Sequence, residues 1–232
     1  MRRAVIVMAK RPWPGAVKTR LIPALGPAGA ASLYQAMLLD VLDEVATVAD
    51  ATHYLLVHPP EALAWFEHAA TQRFVVAAQR GATLAERMAA AFDDRFAEGF
   101  DAVVLRNSDS PTLPAARIGD ALDALARGVD VVLGPDLGGG YYLVALKATR
   151  AQLFRPGANG PMLRFDEALG RARAARLAVS VLPRWLDVDT PADLVRLRKE
   201  LAAEGDSERP PCTRTAAFLA AWVAKGNPPP AP

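Results

Sequence analysis

A buried strand and a basic loop follow one another in residues 4–21, AVIVMAKRPWPGAVKTRL. The first six residues are apolar, which is typical of a strand covered on both faces of a parallel sheet. Pro12 and Pro14 then fix φ, and Gly15 permits a close backbone approach. The same loop holds a cluster of cations, Lys10, Arg11, Lys18 and Arg20. Stiff cations beside free backbone N–H groups suit a polyphosphate, although a solvated basic loop explains this segment equally well by itself.

Strands and helices alternate along the rest of the chain. Further strands are predicted at residues 52–58, 73–78, 102–105, 130–133, 141–146 and 178–182. Helices are predicted at residues 27–49, 60–70, 83–96, 165–176 and 191–203, and one more follows NSDSPTLP and ends at about Arg127. This alternation predicts a single α/β domain, residues 1–204, with a mainly parallel central sheet and helices on both faces. Residues 205–232 are predicted to be a linker, a short apolar helix and a disordered proline-rich tail.

Composition limits the classes of partner. The chain is 52% hydrophobic and 22% charged, and its net charge is only +2, so we expect no nucleic-acid or membrane binding by bulk attraction. Cys212 is the single cysteine, which excludes an internal disulfide and fits a reducing cytoplasm. No apolar run approaches the roughly 18 residues of a membrane span, and the first one is too short for a signal peptide. We therefore predict a cytoplasmic protein, with its oligomeric state left open.

Two loops that follow predicted strands carry carboxylates. Asp109 lies in Asn107–Pro111, where it is well placed to hold Mg²⁺ or Mn²⁺ that bridges phosphate oxygens. Asp187 and Asp189 lie before the last helix of the domain, and a carboxylate from this loop facing Asp109 would complete a metal site. Each loop also has a local explanation: an Asx turn at Asp109, and helix capping by Asp189 or Thr190. Capping alone does not require both aspartates of the second loop.

A fourth loop contains consecutive glycines. Gly138, Gly139 and Gly140 precede Tyr141, and glycines between strands leave room for a ligand while a tyrosine can stack or hydrogen-bond. A plain flexible connection is the alternative. Because ligands of such sheets bind beyond the carboxyl ends of the strands, we expect the four loops to meet on one rim, through Lys18, Asp109, Gly139 and Asp189.

Five motifs in order resemble those of a poorly characterised transferase family with the GT-A, nucleotide-diphospho-sugar transferase fold. They are AKRPWPGAVKTRL, QRGATLAERM, NSDSPTLP, GPDLGGGYYLVAL and DVDTPADL, and they span roughly Arg3–Leu197. Members are often described as associated with radical-SAM and selenium-domain genes, or as arsenosugar-biosynthesis-type glycosyltransferases. More distantly, the chain is similar to nucleotidyltransferases that activate phosphorylated or carboxylated small molecules.

The resemblance implies a role for each motif. Lys18 and Asp109 are the catalytic candidates. Asp109, Asp187 and Asp189 are the candidate ligands of the metal, Mg²⁺ or Mn²⁺. The acceptor is expected to bind at the loop of Gly138, Gly139, Gly140 and Tyr141. Binding of the nucleotide and its phosphates is assigned to Lys10, Pro14, Gly15, Lys18, Arg20, Gln79, Arg87 and Ser108. With Lys18 on an exposed loop, its replacement is expected to weaken nucleotide binding and barely affect folding.

The chain departs from the family pattern at two positions. Asn107 stands where the family usually has glycine, and Gly138 stands where it usually has the aspartate of Asp-Gly-Gly-Tyr. The missing carboxylate puts acceptor binding, or a base role at that position, in question. Asp136 lies two residues upstream and is a candidate to compensate.

Three functions are compatible with these features. The leading interpretation is a metal-dependent glycosyltransferase that passes a sugar from a nucleotide-diphospho-sugar donor to a small-molecule acceptor. The alternative is a nucleotidyltransferase, in which the acceptor's phosphate attacks the α-phosphorus of a nucleoside triphosphate and pyrophosphate leaves. The basic first loop and the lone Asp109, in place of an Asp-x-Asp pair, favour this alternative. A non-catalytic nucleotide-binding protein is the third, suggested by Gly138.

Overall fold

The computed structural model describes residues 1–69, 73–154, 164–203 and 212–224 of the 232-residue chain. The strands are β1 (Arg3–Lys10), β2 (Thr52–His58), β3 (Val75–Ala78), β4 (Ala102–Arg106), β5 (Val131–Pro135), β6 (Tyr141–Leu146) and β7 (Val179–Val181). The helices are α1 (Ile22–Val45), α2 (Leu63–Ala69), α3 (Leu84–Ala97), α4 (Ala116–Ala126), α5 (Phe165–Ala174), α6 (Pro191–Ala202) and α7 (Thr213–Ala224). The predicted linker and tail lie outside the described residues.

The strands form one seven-stranded sheet in the order β3-β2-β1-β4-β6-β5-β7. The pairs β1–β2, β2–β3, β1–β4 and β5–β7 are parallel, and β6 runs antiparallel to both β4 and β5. The predicted mainly parallel α/β sheet is therefore confirmed. The chain leaves β1 toward one edge and returns to β4 beside it, and this reversal between β1 and β4 is where such sheets open a crevice for ligands.

Side chains of each strand alternate between two apolar layers. Val5 and Val7 of β1 pack into the core beneath α1 and α4, whereas Ala4 and Ile6 pack into the core beneath α3 and α5. Helices thus cover both faces of the sheet, as predicted.

The helices begin close to the predicted positions. Gly26 has φ 68° and ψ 166°, which interrupts α1, and the continuous part of that helix starts at Pro27. The side chain of Thr83 caps α3 in a capping box with Glu86, as the sequence indicates. The Lys18 peptide precedes the short 3-10 turn Thr19–Leu21, which leads into α1.

The C-terminal helix α7 packs back onto α1. The Asp40 carboxylate, which is buried in α1, accepts hydrogen bonds from the Thr215 N–H at 2.8 Å and the Thr215 hydroxyl at 2.7 Å. Trp222 lies over Gly29, where a Cβ atom would come within 2.9 Å of the indole ring. The short apolar helix that the sequence predicts is therefore packed against the domain. Across the described ranges no helix is long and apolar enough to cross a membrane.

Candidate functional site

A cleft of about 780 Å³ opens at the carboxyl ends of the parallel strands. All four loops singled out in the sequence contribute to its lining. Twelve of the predicted site residues line it: Lys10, Lys18, Arg20, Gln79, Arg87, Ser108, Asp109, Gly138, Gly140, Tyr141, Asp187 and Asp189. Loops that are far apart in sequence therefore meet at one rim.

Lys18 lies at the centre of the acidic part of the cleft. Its ammonium is 2.6 Å from Asp109 Oδ1 and 2.9 Å from Asp189 Oδ1, and its side chain is only 4% exposed. The backbone at Lys18 is left-handed, with φ 47° and ψ 44°, a conformation that is uncommon outside glycine. The expectation of an exposed loop lysine is thus wrong, because two distant aspartates draw the ammonium into the cleft.

The electrostatics of the cluster follow from burial and close charges. Burial would lower the pKa of Lys18, but Asp109, Asp189 and Asp187 outweigh it and raise the pKa well above its usual value. Burial likewise tends to raise the pKa of Asp189, but Lys18 reverses this and the pKa is lowered. At neutral pH, Lys18 and Asp189 therefore form a charged pair.

Asp187 is the member of the cluster that Lys18 does not contact as an ion pair. Burial, and next the charge of Asp109, raise the pKa of Asp187 to about 8 against the opposing effect of Lys18. Its Oδ1 atom is buried without a hydrogen-bond partner among the described residues. A buried carboxylate oxygen without a partner is costly, so this atom is open to a cation or a ligand donor.

The loop that carries Asp109 is fixed by its neighbours. The Ser108 hydroxyl and the Tyr34 hydroxyl are 2.9 Å apart, and Tyr34 also accepts the Lys10 N–H at 3.0 Å. The carbonyl of Asp109 accepts the Val188 N–H at 3.0 Å, which joins the two acidic loops directly. Tyr34 was missed at the sequence level, since it lies among the apolar positions of α1 and carries no signal there beyond a core residue.

In the glycine-rich loop, Asp136 organises the turn. Its Oδ1 accepts the Gly140 N–H at 2.8 Å, and a Cβ atom at Gly140 would lie 2.6 Å from Oδ2. Burial raises the pKa of Asp136, with partial opposition from the N–H groups of Gly140, Gly138 and Gly139. Asp136 is buried and engaged with its own backbone, so the structure does not place it as a free substitute for the carboxylate missing at Gly138.

The opposite side of the cleft holds Gln79 and Arg87. Gln79 Nε2 donates to the carbonyl of Ala9 at 3.1 Å and to that of Leu56 at 2.8 Å. Because carbonyl oxygens only accept, these contacts fix the amide orientation. The Arg87 guanidinium lies 3.4 Å from the His58 ring. These residues border β1 and β2, and both belong to the set that the resemblance assigns to the nucleotide and its phosphates.

Three predicted residues do not line the cleft. Pro14 and Gly15 are exposed, and a Cβ atom at Gly15 would meet no protein atom within 4 Å, so a role of these two residues toward a ligand stays a prediction. Gly139 is outside the lining, and its carbonyl accepts the Phe165 N–H at 3.0 Å. Conversely, several lining residues were missed, namely Tyr34, Arg106, Asp193 and Arg196.

The carboxylates of the cleft are candidate ligands for a divalent cation. Carboxylate oxygens are the ligands that Mg²⁺ prefers, and the unpartnered oxygen of Asp187 is one such atom. However, over the part of the chain that the structure describes, no three His, Cys, Asp or Glu side chains are already arranged around a common metal position. Lys18 instead holds Asp109 and Asp189. The donor set suits Mg²⁺ chemically, and the ammonium of Lys18 lies next to the same carboxylates.

Comparison with known proteins defines the class of this protein. The chain is 32% identical over 185 residues to 2-phospho-L-lactate guanylyltransferase of Methanothermobacter thermautotrophicus, and the match covers 76% of each chain. A crystal structure assigned to a nucleotide-diphospho-sugar transferase of Desulfovibrio desulfuricans G20 is 31% identical, with a TM-score of 0.84 over 97% of this chain and 96% of that one. The chain is accordingly a transferase with the nucleotide-diphospho-sugar transferase fold, not a non-catalytic binding protein.

The family follows from the sequence match. The chain belongs to the family described as "Uncharacterized protein conserved in bacteria (DUF2064)", which matches residues 41–158. A cytidylyltransferase of Leptospira borgpetersenii serovar Hardjo-bovis shares the fold at 12% identity, with a TM-score of 0.58 over 97% of this chain and 95% of that one. The resemblance to the superfamily is confirmed, whereas the radical-SAM, selenium-domain and arsenosugar associations stay predictions.

Proposed function

We propose that this chain is a nucleotidyltransferase, which moves a nucleoside monophosphate from a nucleoside triphosphate to a small acidic molecule and releases pyrophosphate. The observation that carries the proposal is the placement of Lys18 between Asp109 and Asp189, at the bottom of a cleft that further cations surround. The cationic residues of the lining are Lys10, Lys18, Arg20, Arg87, Arg106 and Arg196. Such a distribution suits a triphosphate and an anionic acceptor together.

Relatives support nucleotidyl transfer over the sugar transfer that the sequence motifs favoured. The curated relative at 32% identity is a guanylyltransferase, and its name gives a phosphorylated acid as its acceptor. One observation favours sugar transfer, namely the assignment of the Desulfovibrio structure at 31% identity as a nucleotide-diphospho-sugar transferase. Sugar transfer therefore remains the second candidate, with a nucleotide-diphospho-sugar as donor.

The residues of the first loop would hold the triphosphate. Lys10 ends β1 and Arg20 lies in the 3-10 turn, and both are exposed. The Arg20 guanidinium is 65% exposed and 3.9 Å from Asp189, so either cation could turn toward phosphate oxygens. Lys18 has three N–H donors, and because Asp109 and Asp189 engage two of them, the third would be available to a phosphate oxygen. When an acceptor oxygen forms its bond to the α-phosphorus, the bond from that phosphorus to the bridging oxygen breaks. These cations would then stabilise the charge that develops on the departing pyrophosphate.

We assign a divalent cation, Mg²⁺ or Mn²⁺, to Asp109 and Asp187, with Asp189 beside them. When bound, the cation would neutralise phosphate charge and polarise the α-phosphorus. Asp187 offers an oxygen that is buried without a partner. The Val188 N–H bond to the carbonyl of Asp109 keeps the two loops in register. Gly138, Gly140 and Tyr141 line the side of the cleft next to Asp136 and are proposed to border the acceptor.

Product analysis tests this proposal. Purified protein with Mg²⁺ is incubated with GTP, CTP, ATP or UTP and a panel of phosphorylated and carboxylated acceptors that includes 2-phospho-L-lactate. We expect acceptor-dependent pyrophosphate release from one triphosphate, which Asp109→Asn abolishes. Asp101→Asn is the matched control, because Asp101 is an exposed aspartate whose partners are Arg2 and the chain N-terminus. Release of a nucleoside diphosphate from a nucleotide sugar, without pyrophosphate release from any triphosphate, would instead establish sugar transfer.

A binding screen can guide the choice of nucleotide. A ligand present at 100 times its dissociation constant adds about 2.7 kcal/mol to the free energy of unfolding. Thermal shifts with the four triphosphates and a set of nucleotide sugars, each with Mn²⁺ and with EDTA, would therefore rank the donors before any acceptor is known.

A further inference from the structure

Arg106 ends β4 directly before the loop that carries Asp109. Its Nε atom donates to the carbonyl of Asn107 at 3.1 Å, and its Nη2 atom donates to the carbonyl of Ser110 at 2.7 Å. These two carbonyls lie on either side of Ser108 and Asp109. A guanidinium is planar and rigid, so one side chain fixes both ends of the segment that presents the Asp109 carboxylate to the cleft.

The charge of Arg106 is buried without a carboxylate partner. The residue is 0% exposed, and its Nη1 atom has no hydrogen-bond partner in the described part of the chain. Burial lowers the pKa of Arg106 to about 10, against the opposing effects of Glu44, Cys212, Asp109 and Tyr142. The guanidinium thus stays protonated at neutral pH. Burying this charge costs desolvation free energy, which a neutral hydrogen-bond donor in the same place would avoid.

The other buried cations are satisfied differently. Lys18 has Asp109 and Asp189 within 2.9 Å. Arg95 of α3 is 2.5 Å from the Glu98 carboxylate and lies over the Tyr54 ring. Within the described ranges, Arg106 forms no ion pair, yet it borders the cleft. No ion pair neutralises its charge, and the more distant carboxylates of Glu44 and Asp109 offset it only in part, so its positive potential reaches the place where anionic phosphates would bind.

We propose that Arg106 is a positioning residue of the transferase site: it fixes the Asp109 loop and supplies a permanent positive charge behind the phosphates. This inference rests on the proposed function and extends it to a residue beneath the cleft. Arg106 would contribute to binding in two ways, through its charge and through its hydrogen bonds to the Asp109 loop. The charge would favour any polyphosphate, with or without metal, whereas the fork of hydrogen bonds would matter only for the metal-dependent part of binding through Asp109.

The test compares Arg106→Met and Arg106→Lys with the wild type in the full-length protein. The probe is inorganic triphosphate, which is independent of the base, and its dissociation constant is measured by calorimetry in EDTA and in Mn²⁺. We expect Arg106→Met to weaken binding roughly tenfold or more in EDTA. Arg106→Lys should stay within about threefold of the wild type in EDTA but lose most of the gain in affinity from Mn²⁺, because lysine keeps the charge without the fork. Arg95→Met removes a buried arginine remote from the cleft and should bind as the wild type does.

Each result bears on a different claim. If the wild type does not bind triphosphate, the proposed function fails. If the wild type binds and a folded Arg106→Met binds equally well, or if Arg95→Met shows the same loss, only the role of Arg106 is overturned. Should Arg106→Met not fold, Arg106→Lys decides: a reduced gain from Mn²⁺ at unchanged affinity in EDTA supports the proposal, and wild-type behaviour in both conditions, or weakened binding in EDTA, contradicts it.

Discussion

Two loops at the rim of the cleft each carry an aspartate, buried in the case of Asp136 and half-buried in the case of Asp187, and the two carboxylates are satisfied in different ways. Asp136, after β5, accepts the Gly140 N–H at 2.8 Å and is held by its own turn. Asp187, after β7, keeps a buried oxygen without a partner among the described residues, beside the pair of Lys18 and Asp189. Burial raises the pKa of both carboxyls. A carboxylate whose hydrogen bonds come from neighbouring backbone N–H groups stabilises its loop, whereas a carboxylate with an unpaired buried oxygen indicates a ligand site.

Removing Lys18 should produce the largest effect, because its ammonium pairs with both Asp109 and Asp189 and its loss leaves these carboxylates without their cation. We expect Lys18→Met to lower the free energy of unfolding at pH 7 by about 1–3 kcal/mol and to weaken nucleotide binding by about 1.5–3 kcal/mol. Chemical denaturation and calorimetry measure the two effects. The control is Lys147→Met, since Lys147 is 3.1 Å from Asp130 in a more exposed pair outside the cleft lining, and it should change stability by less than about 1 kcal/mol. Equal losses in both variants would contradict the special role of Lys18.

Substituting Asp136 in the glycine-rich loop should affect the free energy of unfolding more than it affects metal binding. Asp136→Ala leaves the Gly140 N–H of the turn without its carboxylate acceptor, and we expect a loss of about 1–3 kcal/mol in the free energy of unfolding. Asp136→Asn keeps an oxygen for that N–H and should lose less. Urea denaturation compares the two variants. A larger loss for asparagine than for alanine would show that the charge of Asp136, and not its hydrogen bonding, matters to the turn.

Neutralising Asp187 should have a smaller effect of opposite sign. Its pKa is about 8 in the folded protein and is raised from 3.8, so the folded state binds more protons than the unfolded state between these values. Stability from this group is therefore fully present below about pH 4 and is lost as the pH rises toward 8. We expect Asp187→Asn to be more stable than the wild type at pH 8 by about 1–2 kcal/mol, and the advantage to shrink at pH 5. Thermal melts in EDTA across this range measure it, and an advantage that grows toward low pH would refute the assignment.

Much of the fold could be predicted from local patterns. The apolar runs predict the strands, and Thr83 with Glu86 predicts the start of α3 as a capping box, because both signals depend on neighbouring residues. The direction of β6 could not be predicted in this way. It runs antiparallel to β4 and β5, and strand direction is set by pairing between segments that are distant in sequence.

In the candidate site, too, features with a local signal could be predicted, and contacts between residues distant in sequence could not. Twelve of the predicted site residues line the cleft, since a polar loop after a buried strand is a local signal. The burial of Lys18 was not predictable, because it depends on Asp109 and Asp189, which only the folded chain brings within 2.9 Å of its ammonium. Arg106 was also missed, because a single arginine at a strand end resembles a surface residue, and its 0% exposure results from packing against distant segments.

The comparison of Asp187 with Asp136 gives the most direct test of the central claim, that the acidic cluster around Lys18 serves a metal–nucleotide complex. The measurement is the calorimetric affinity for the triphosphate that the thermal screen ranks first, in Mn²⁺ and in EDTA, for the wild type, Asp187→Asn and Asp136→Asn. Asparagine keeps the shape of each side chain and removes its charge. We predict that Asp187→Asn loses the dependence on Mn²⁺, since a cation that neutralises phosphates contributes several kcal/mol, while Asp136→Asn keeps it. A wild-type dependence on Mn²⁺ in Asp187→Asn, or its loss in Asp136→Asn alone, would contradict the account.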